Sequence, residues 1–325
     1  MEYFIMAFKT IIKTATCYLV SMAAAFGAVP TNPPSVMPTY KVGVIQVIEH
    51  PALDETYKGI QDELSNQGFK DNLQLNWDSA QGNPALGSQI AQKCMGQKVD
   101  LIIAIGTTVA QAALSAAKGT TPIVFASVTD PKGAKLEGNI TGVSNFVPVK
   151  DQFEIVLKLM PTLKRIGVIY NPGEANSASL LAQMQIEAKG KGLEVVAASA
   201  SKTSEVPTAA QGLAGKVDAI FINNDNTALA ALNGIGQICA ENKIALFASD
   251  GDLTKSGALA LLGADQYEIG RQTGRMVAKI LRGEAKTTDL KIEFPAKVTT
   301  QLNEKTAQTL GITIPKDMKR GGTQS

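Results

Sequence analysis

Histidine occurs once in this chain, at His50, and cysteine three times, at Cys17, Cys94 and Cys239. One imidazole and no cysteine pair at ligand spacing exclude the usual zinc sites. Ser–His catalysis would depend on His50 alone, which precedes Pro51 and reads equally well as a helix-entry residue. Cys94 and Cys239 fall in helical patterns in different halves, so no disulfide framework is expected. No GxGxxG follows the first apolar run and GxxxxGK[ST] is absent, so dinucleotides and nucleoside triphosphates lack their usual cradle. GxSxG is missing as well. Catalysis by a pair of acids stays open, with nothing in its favour. An excess of charge is also lacking: 31 basic against 29 acidic residues leave a formal +2, too balanced to point to nucleic acid. No metal, cofactor or nucleic-acid partner is expected.

What is present is apolar: 45% of residues are hydrophobic and 18% charged, enough to build cores and exclude gross disorder. The 325 residues leave room for two domains. At the N-terminus, MEYFIMAFKTIIKTATCYLVSMAAAFGAVP carries Lys9 and Lys13, then an apolar stretch, then small residues. That is the layout of a signal peptide over residues 1–27, cut after Gly27 with Ala25 as an alternative site. Initiation at Met6 is a further option. A short membrane anchor competes, but the run falls below the roughly 20 residues a span needs. Export removes Cys17. The Pro-rich stretch 28–40 reads as an extended lead-in.

From Tyr40 apolar runs alternate with helical patterns: KVGVIQVI (41–48), a helix from Pro51 to Gly68, LQLNW (73–77), a helix over 83–97, LIIAI (101–105), a helix over 108–117, PIVFAS (122–127) and NITGVS (139–144). The pattern then restarts. KRIGVIYN (164–171) echoes YKVGVIQV (40–47), KVDAIFI (216–222) echoes KVDLIIA (98–104), and IALFAS (244–249) answers PIVFAS at a similar interval each time. Helices are expected over 176–190, 227–241 and 265–282, with further apolar runs at 193–199 and 257–263, and KIEFPAKVTTQLN (291–303) and AQTLGITIP (307–315) close the chain. Apolar runs buried on both faces and alternating with helices mean parallel sheets covered on both sides. Two similar α/β lobes are therefore expected, the first spanning 40–145 plus about 264–285 and the second 146–263 plus about 286–318.

Ligands of open parallel sheets bind beyond the carboxyl ends of the strands. Gly106-Thr107-Thr108 offers hydroxyls and free N–H groups at a helix start, suited to an anion, and Ser127 and Thr129 end the next strand. Thr107 and Thr108 read equally as ordinary helix caps. On the opposite lobe Asp225 and Asp250 occupy corresponding strand ends, where a carboxylate can meet an ammonium group. Asp225 reads equally as a cap for the helix at 227. Together the two sides suit a zwitterion. Asp130 is also a turn former before Pro131, and Asn145 lies at an expected crossover.

The segments EHPALDETYKGIQDEL, IAIGTTVAQAAL, PIVFASVTDP, NITGVSN, IYNPGEANS and FINNDNTALAAL occur in this order between residues 49 and 232. With them the chain resembles the extracytoplasmic substrate-binding proteins of ABC transporters, in the branch associated with tryptophan and tyrosine uptake, over about residues 40–315. The resemblance implies two Rossmann-like lobes with parallel sheets joined by a multi-crossover hinge, the type I periplasmic-binding-protein fold. It also implies a monomer that traps an aromatic amino acid by hinge closure and serves a membrane permease and ATPase. By position it carries over Glu49, His50, Thr107, Thr108, Ser127, Thr129, Asp130, Asn145, Asp225, Asn226 and Asp250 as ligand residues. Tyr170, Phe146 and Tyr267 are candidates for stacking on a ligand ring, with packing as the competing role. A sensory binding protein, or an exported enzyme on the same fold, is the alternative function.

Overall fold

The computed structural model describes residues 39–319; the expected signal peptide at 1–27 lies outside the described residues. The first sheet has five parallel strands, β1 (Tyr40–Gln46), β2 (Leu73–Ser79), β3 (Leu101–Ile105), β4 (Ile123–Ala126) and β5 (Ile140–Val143), in the order β2-β1-β3-β4-β5. The second contains β6 (Arg165–Tyr170), β7 (Glu194–Ser199), β8 (Ala219–Ile222), β9 (Ala245–Ala248), β10 (Ala260–Ala264) and β11 (Val298–Leu302). Its order is β11-β10-β9-β8-β6-β7, with only β11 antiparallel. Read from β7, the first five strands repeat the order of the first sheet. The two KVD runs lead into β3 and β8, which hold equivalent places, and the two FAS runs end β4 and β9.

The helices of the first half are α1 (Pro51–Leu64), α2 (Pro84–Gly96) and α3 (Thr107–Ala117). Those of the second are α4 (Val149–Leu159), α5 (Ala175–Gly190), α6 (Val206–Leu213), α7 (Asn226–Leu229), α8 (Leu232–Asn242), α9 (Leu253–Ser256), α10 (Gln266–Leu281) and α11 (Glu304–Leu310). β3, β4 and β5 are buried at every residue, because helices cover both faces of the sheet. One core joins the first sheet to α1, α2, α3 and α10, through residues such as Ile60, Ile90, Val109, Ile269 and Val277. The second sheet is covered by one core under α4 and α5 and another under α6 and α8. The chain crosses between the sheets after β5, between β10 and α10, and again before β11, where Glu293 bridges to Val143 of β5.

Several elements differ from the expectation. α4 and α6 are absent from the sequence reading, although Val149, Phe153, Val156 and Leu159 of α4 recur at helical spacing and are buried. The helix expected over 227–241 breaks into α7 and α8 around Ala230 and Ala231. The closing stretch 291–303, to which the sequence reading assigns no element, contains β11 at Val298–Leu302, beyond Pro295, which has no N–H for a ladder. Cys94 and Cys239 are both free and buried, as expected of cysteines on separate lobes.

Candidate functional site

β1 ends in a turn that delivers His50 as the residue before α1, in extended conformation, with Pro51 in the first helical turn. Proline is suited there because that N–H has no helical partner anyway. His50 is buried, and its Nε2 has no hydrogen-bond partner within the protein. Burial lowers its pKa to about 4, against a hydrogen bond with the Asn226 side chain and the nearby Asp54 and Glu174 charges. The imidazole is therefore neutral at neutral pH.

β4 ends in Ser127, whose φ of 54° is left-handed, an uncommon conformation for a residue with a side chain. Its hydroxyl donates to Gln266 Oε1 at 2.8 Å, and Thr56 donates to the same oxygen at 3.1 Å. With that oxygen occupied, Gln266 is left its NH2 group to offer. Two residues on, Thr129 donates to Asn145 Oδ1 at 2.8 Å, which leaves the Asn145 Nδ2 as a donor without a protein acceptor. On the facing lobe, β9 ends in Ser249 and Asp250. Gly251 donates its N–H to Asp250 Oδ1 at 2.7 Å, but Asp250 Oδ2 is sealed from solvent with no partner. Burial raises this carboxyl to about 7; the Gly251 N–H and the Gln266 side chain oppose the rise, and the Asp265 and Glu55 charges add to it.

These groups meet in one small pocket between the two sheets. Of the residues expected from sequence, His50, Ser127, Thr129, Asn145, Asn226 and Asp250 line it. Asn176, Asn224 and Gln266 line it too and were missed. Asn176 and Asn224 lie inside strand-end segments visible in the sequence, YNPGEANS and NNDN. Gln266 gives no such signal, because it reaches the pocket only through the chain's return to the first lobe. Asn176 Oδ1, like His50 Nε2 and Asp250 Oδ2, is buried without a partner. Three such atoms from three elements converge here, whereas buried polar atoms are normally paired.

The other expected residues lie elsewhere. Glu49 is exposed at the turn. Gly106 has φ 105°, and a Cβ there would come within 2.6 Å of Val47 Cγ1, so only glycine fits the entry to α3. Thr107 is buried behind it, and Thr108 borders a neighbouring chamber of about 170 Å³ shared with Asn171, Glu174 and Asn226. Asp130 closes a turn by accepting from Gly133 N at 2.8 Å, and reaches across to accept from the Ser179 hydroxyl of α5 at 2.8 Å.

Asp225 does not line the pocket. It caps α7 by accepting from Ala228 N at 2.7 Å, while its other oxygen accepts from Asn171 N at 2.6 Å and Ser177 Oγ at 2.5 Å. Its carboxyl is raised by burial and by Glu174, against these three donors. Both oxygens are thus occupied inside the second lobe. Of the aromatic candidates, Tyr267 borders a third chamber beside Asp250, with its hydroxyl donating to Asp62 at 2.9 Å. Phe146 packs on the second lobe's core, and Tyr170 lines none of the three chambers. Among the described residues no cluster of His, Cys, Asp and Glu suits a metal, and no helix is long and apolar enough to cross a membrane.

A cleft of this kind has counterparts among known proteins. Residues 41–324 match the family described as ABC transporter substrate binding protein. A curated relative, the tyrosine-binding protein of Clostridioides difficile, is 34% identical over 83% of this chain and 80% of its own length. Two solved structures, each 32% identical and each covered over 88% of this chain and 99% of theirs, match with different closeness. An ABC domain from Streptococcus pneumonia in complex with L-Trp gives a TM-score of 0.84. A ligand-free, open substrate-binding protein with adhesive properties from Clostridium difficile gives 0.66. The relatives are substrate-binding proteins rather than enzymes, and the fold is the type I periplasmic-binding-protein fold. With both lobes, the cleft and the motifs accounted for, the chain belongs to the ABC transporter substrate-binding protein family.

Proposed function

We propose that this chain is the extracytoplasmic binding component of an ABC importer and captures an aromatic amino acid in the interlobe pocket. The observation that carries the reading is the convergence of Asp250 Oδ2, Asn176 Oδ1 and His50 Nε2, all buried and unpartnered, on one small pocket. Two of the three are acceptors, and one belongs to a carboxylate: the complement of an ammonium group. For the ligand carboxylate, the pocket offers the Asn145 amide and the start of α1, where Ala52 and Leu53 line it. The tyrosine and tryptophan of the relatives fit this pairing. Mature protein outside the cytoplasm, a monomer facing a permease and an ATPase, completes the reading.

Closure is the second half of the mechanism. At equal identity the match to the L-Trp complex is better than that to the open, ligand-free protein, which supports reading this arrangement as closed. Across the cleft itself, Ser179 donates to Asp130 at 2.8 Å and Asn224 Nδ2 to the Asn145 carbonyl at 3.3 Å. A ligand touching both lobes favours this closed state by its differential affinity.

Mass spectrometry of ligand carried through purification, followed by calorimetry across the amino acids, tests the ligand. Stoichiometric binding of tyrosine or tryptophan is expected; a retained sugar overturns the assignment. Ser179→Ala removes one closing bond and should weaken binding about three- to tenfold. Small-angle scattering should then show a more open ligand-free protein. Equal affinity and equal dimensions in the variant would take that bond out of the closing mechanism.

A further inference from the structure

Two of the amides that line the pocket, Asn176 and Asn226, have no intrinsic polarity toward a ligand. Each presents an acceptor or a donor depending on which way its side-chain amide is turned. Glu174, the residue before α5, decides this for both. It is buried and borders the neighbouring chamber rather than the central pocket. Its Oε2 accepts from Asn226 Nδ2 at 2.6 Å, Asn226 N at 3.1 Å and Asn176 Nδ2 at 3.2 Å. Its Oε1 accepts from the Thr227 hydroxyl at 2.7 Å, Thr227 N at 3.0 Å and, more weakly, Asn171 Nδ2 at 3.5 Å.

Every group facing this carboxyl is a donor, the complement of an acceptor-only carboxylate. Both amides therefore turn their NH2 groups toward Glu174 and their oxygens away from it. Asn176 Nδ2 is held a second time by the Asn224 carbonyl at 2.7 Å. Its oxygen is left as the unpartnered buried acceptor of the pocket. The Asn226 side chain also meets His50 across the cleft, and with Nδ2 turned to Glu174 its oxygen faces away from that carboxylate.

We propose that Glu174 is a positioning residue that sets the pocket's polarity: by holding Asn176 and Asn226 with their oxygens toward the cleft, it selects ligands bearing a protonated amine over their des-amino analogues. This rests on the amino-acid reading above and adds to it a residue that does not line the pocket in which the ligand sits. A carboxylate that merely staples α5 to α7 affects stability and affects all ligands alike. A polarity-setting one changes the ratio between an amine and its des-amino analogue.

Glu174→Gln keeps the shape but leaves one oxygen for all these donors, and with its NH2 group in the Oε2 place one of the pocket amides has to reverse. Calorimetry compares tyrosine with 3-(4-hydroxyphenyl)propionate, and tryptophan with indole-3-propionate, on the wild-type chain and the variant. The preference for the amine should fall about tenfold or more in Glu174→Gln, mainly through weaker amino-acid binding. Thr227→Val, which removes another bond to the same carboxylate, should leave the ratio unchanged. Glu174→Gln combined with Asn176→Asp restores an acceptor facing the pocket at the same net charge, and the preference should return. Melting curves establish that each variant is folded, and the double variant carries the test if the single one is not. An unchanged ratio in Glu174→Gln, or no recovery in the double variant, overturns the role of Glu174. Failure of the wild-type chain to bind either amino acid instead overturns the ligand reading on which it stands.

Discussion

Asp250→Ala is expected to weaken amino-acid binding by one to two orders of magnitude. The carboxylate is the one charged acceptor with a free buried oxygen in the pocket, and a hydrogen bond to a charged group contributes about 1.5–3 kcal/mol. That corresponds to roughly a ten- to hundredfold loss of affinity, read by calorimetry at pH 8. The same residue gives binding a pH dependence of defined sign. Burial raises the Asp250 carboxyl from 3.8 to about 7 in the ligand-free protein, so at lower pH the ligand ammonium meets a neutral acid. Affinity should rise as pH passes upward through about 7 and level off above it.

Stability of the ligand-free protein should move the other way. A carboxyl with a raised folded pKa binds more protons in the native than in the unfolded chain. Its contribution is present in full below about 4 and is lost as pH rises through about 7. Asp250→Asn should flatten this stability slope and the pH dependence of affinity alike. An Asp250→Ala variant that binds tyrosine or tryptophan normally would sink the assignment of the ammonium end.

Gly270→Ala should be the most damaging small substitution in the first lobe. α10 packs directly on α1, and a Cβ at Gly270 would lie 2.1 Å from the Thr56 carbonyl oxygen and 2.9 Å from Gly59 Cα. Both neighbours are backbone, so relief requires the two helices to separate. Overpacking of this kind costs about 1–3 kcal/mol, and more where the surroundings are rigid. A loss near the top of that range is expected in urea unfolding. Because α1 carries His50 to the cleft and α10 carries Gln266, ligand affinity should fall with it. Gly234→Ala, at a half-buried position of α8 where a Cβ meets nothing within 4 Å, provides the control. It should be neutral or stabilising by about 0.5–1 kcal/mol. Equal effects at the two positions would mean that close helix approach is not what Gly270 provides.

The duplication of the lobes was legible before any coordinates, because apolar runs and their small-residue ends carry the strand pattern locally. KVD and FAS mark equivalent strands in the two sheets. The break between α7 and α8 and the pairing of β11 with β10 were not legible, since each depends on how the segment packs and pairs after folding. Within the site, the strand-end rule and the family resemblance together named His50, Ser127, Thr129, Asn145, Asn226 and Asp250, and these residues line one pocket.

The choice between Asp225 and Asp250 shows where local reading stops. Both are aspartates at equivalent strand ends, and both are raised by burial. Asp225 is followed by a helix whose N–H it caps, and Asn171 and Ser177 from β6 and α5 occupy its second oxygen. Asp250 receives one backbone bond and keeps one oxygen free. Sequence by itself determined the α/β alternation, the repeat and the set of strand ends, because these follow from hydrophobic spacing along the chain. Only the tertiary structure decided which polar atoms remain unpaired in the cleft, because donors and acceptors distant in sequence saturate one another before a ligand arrives.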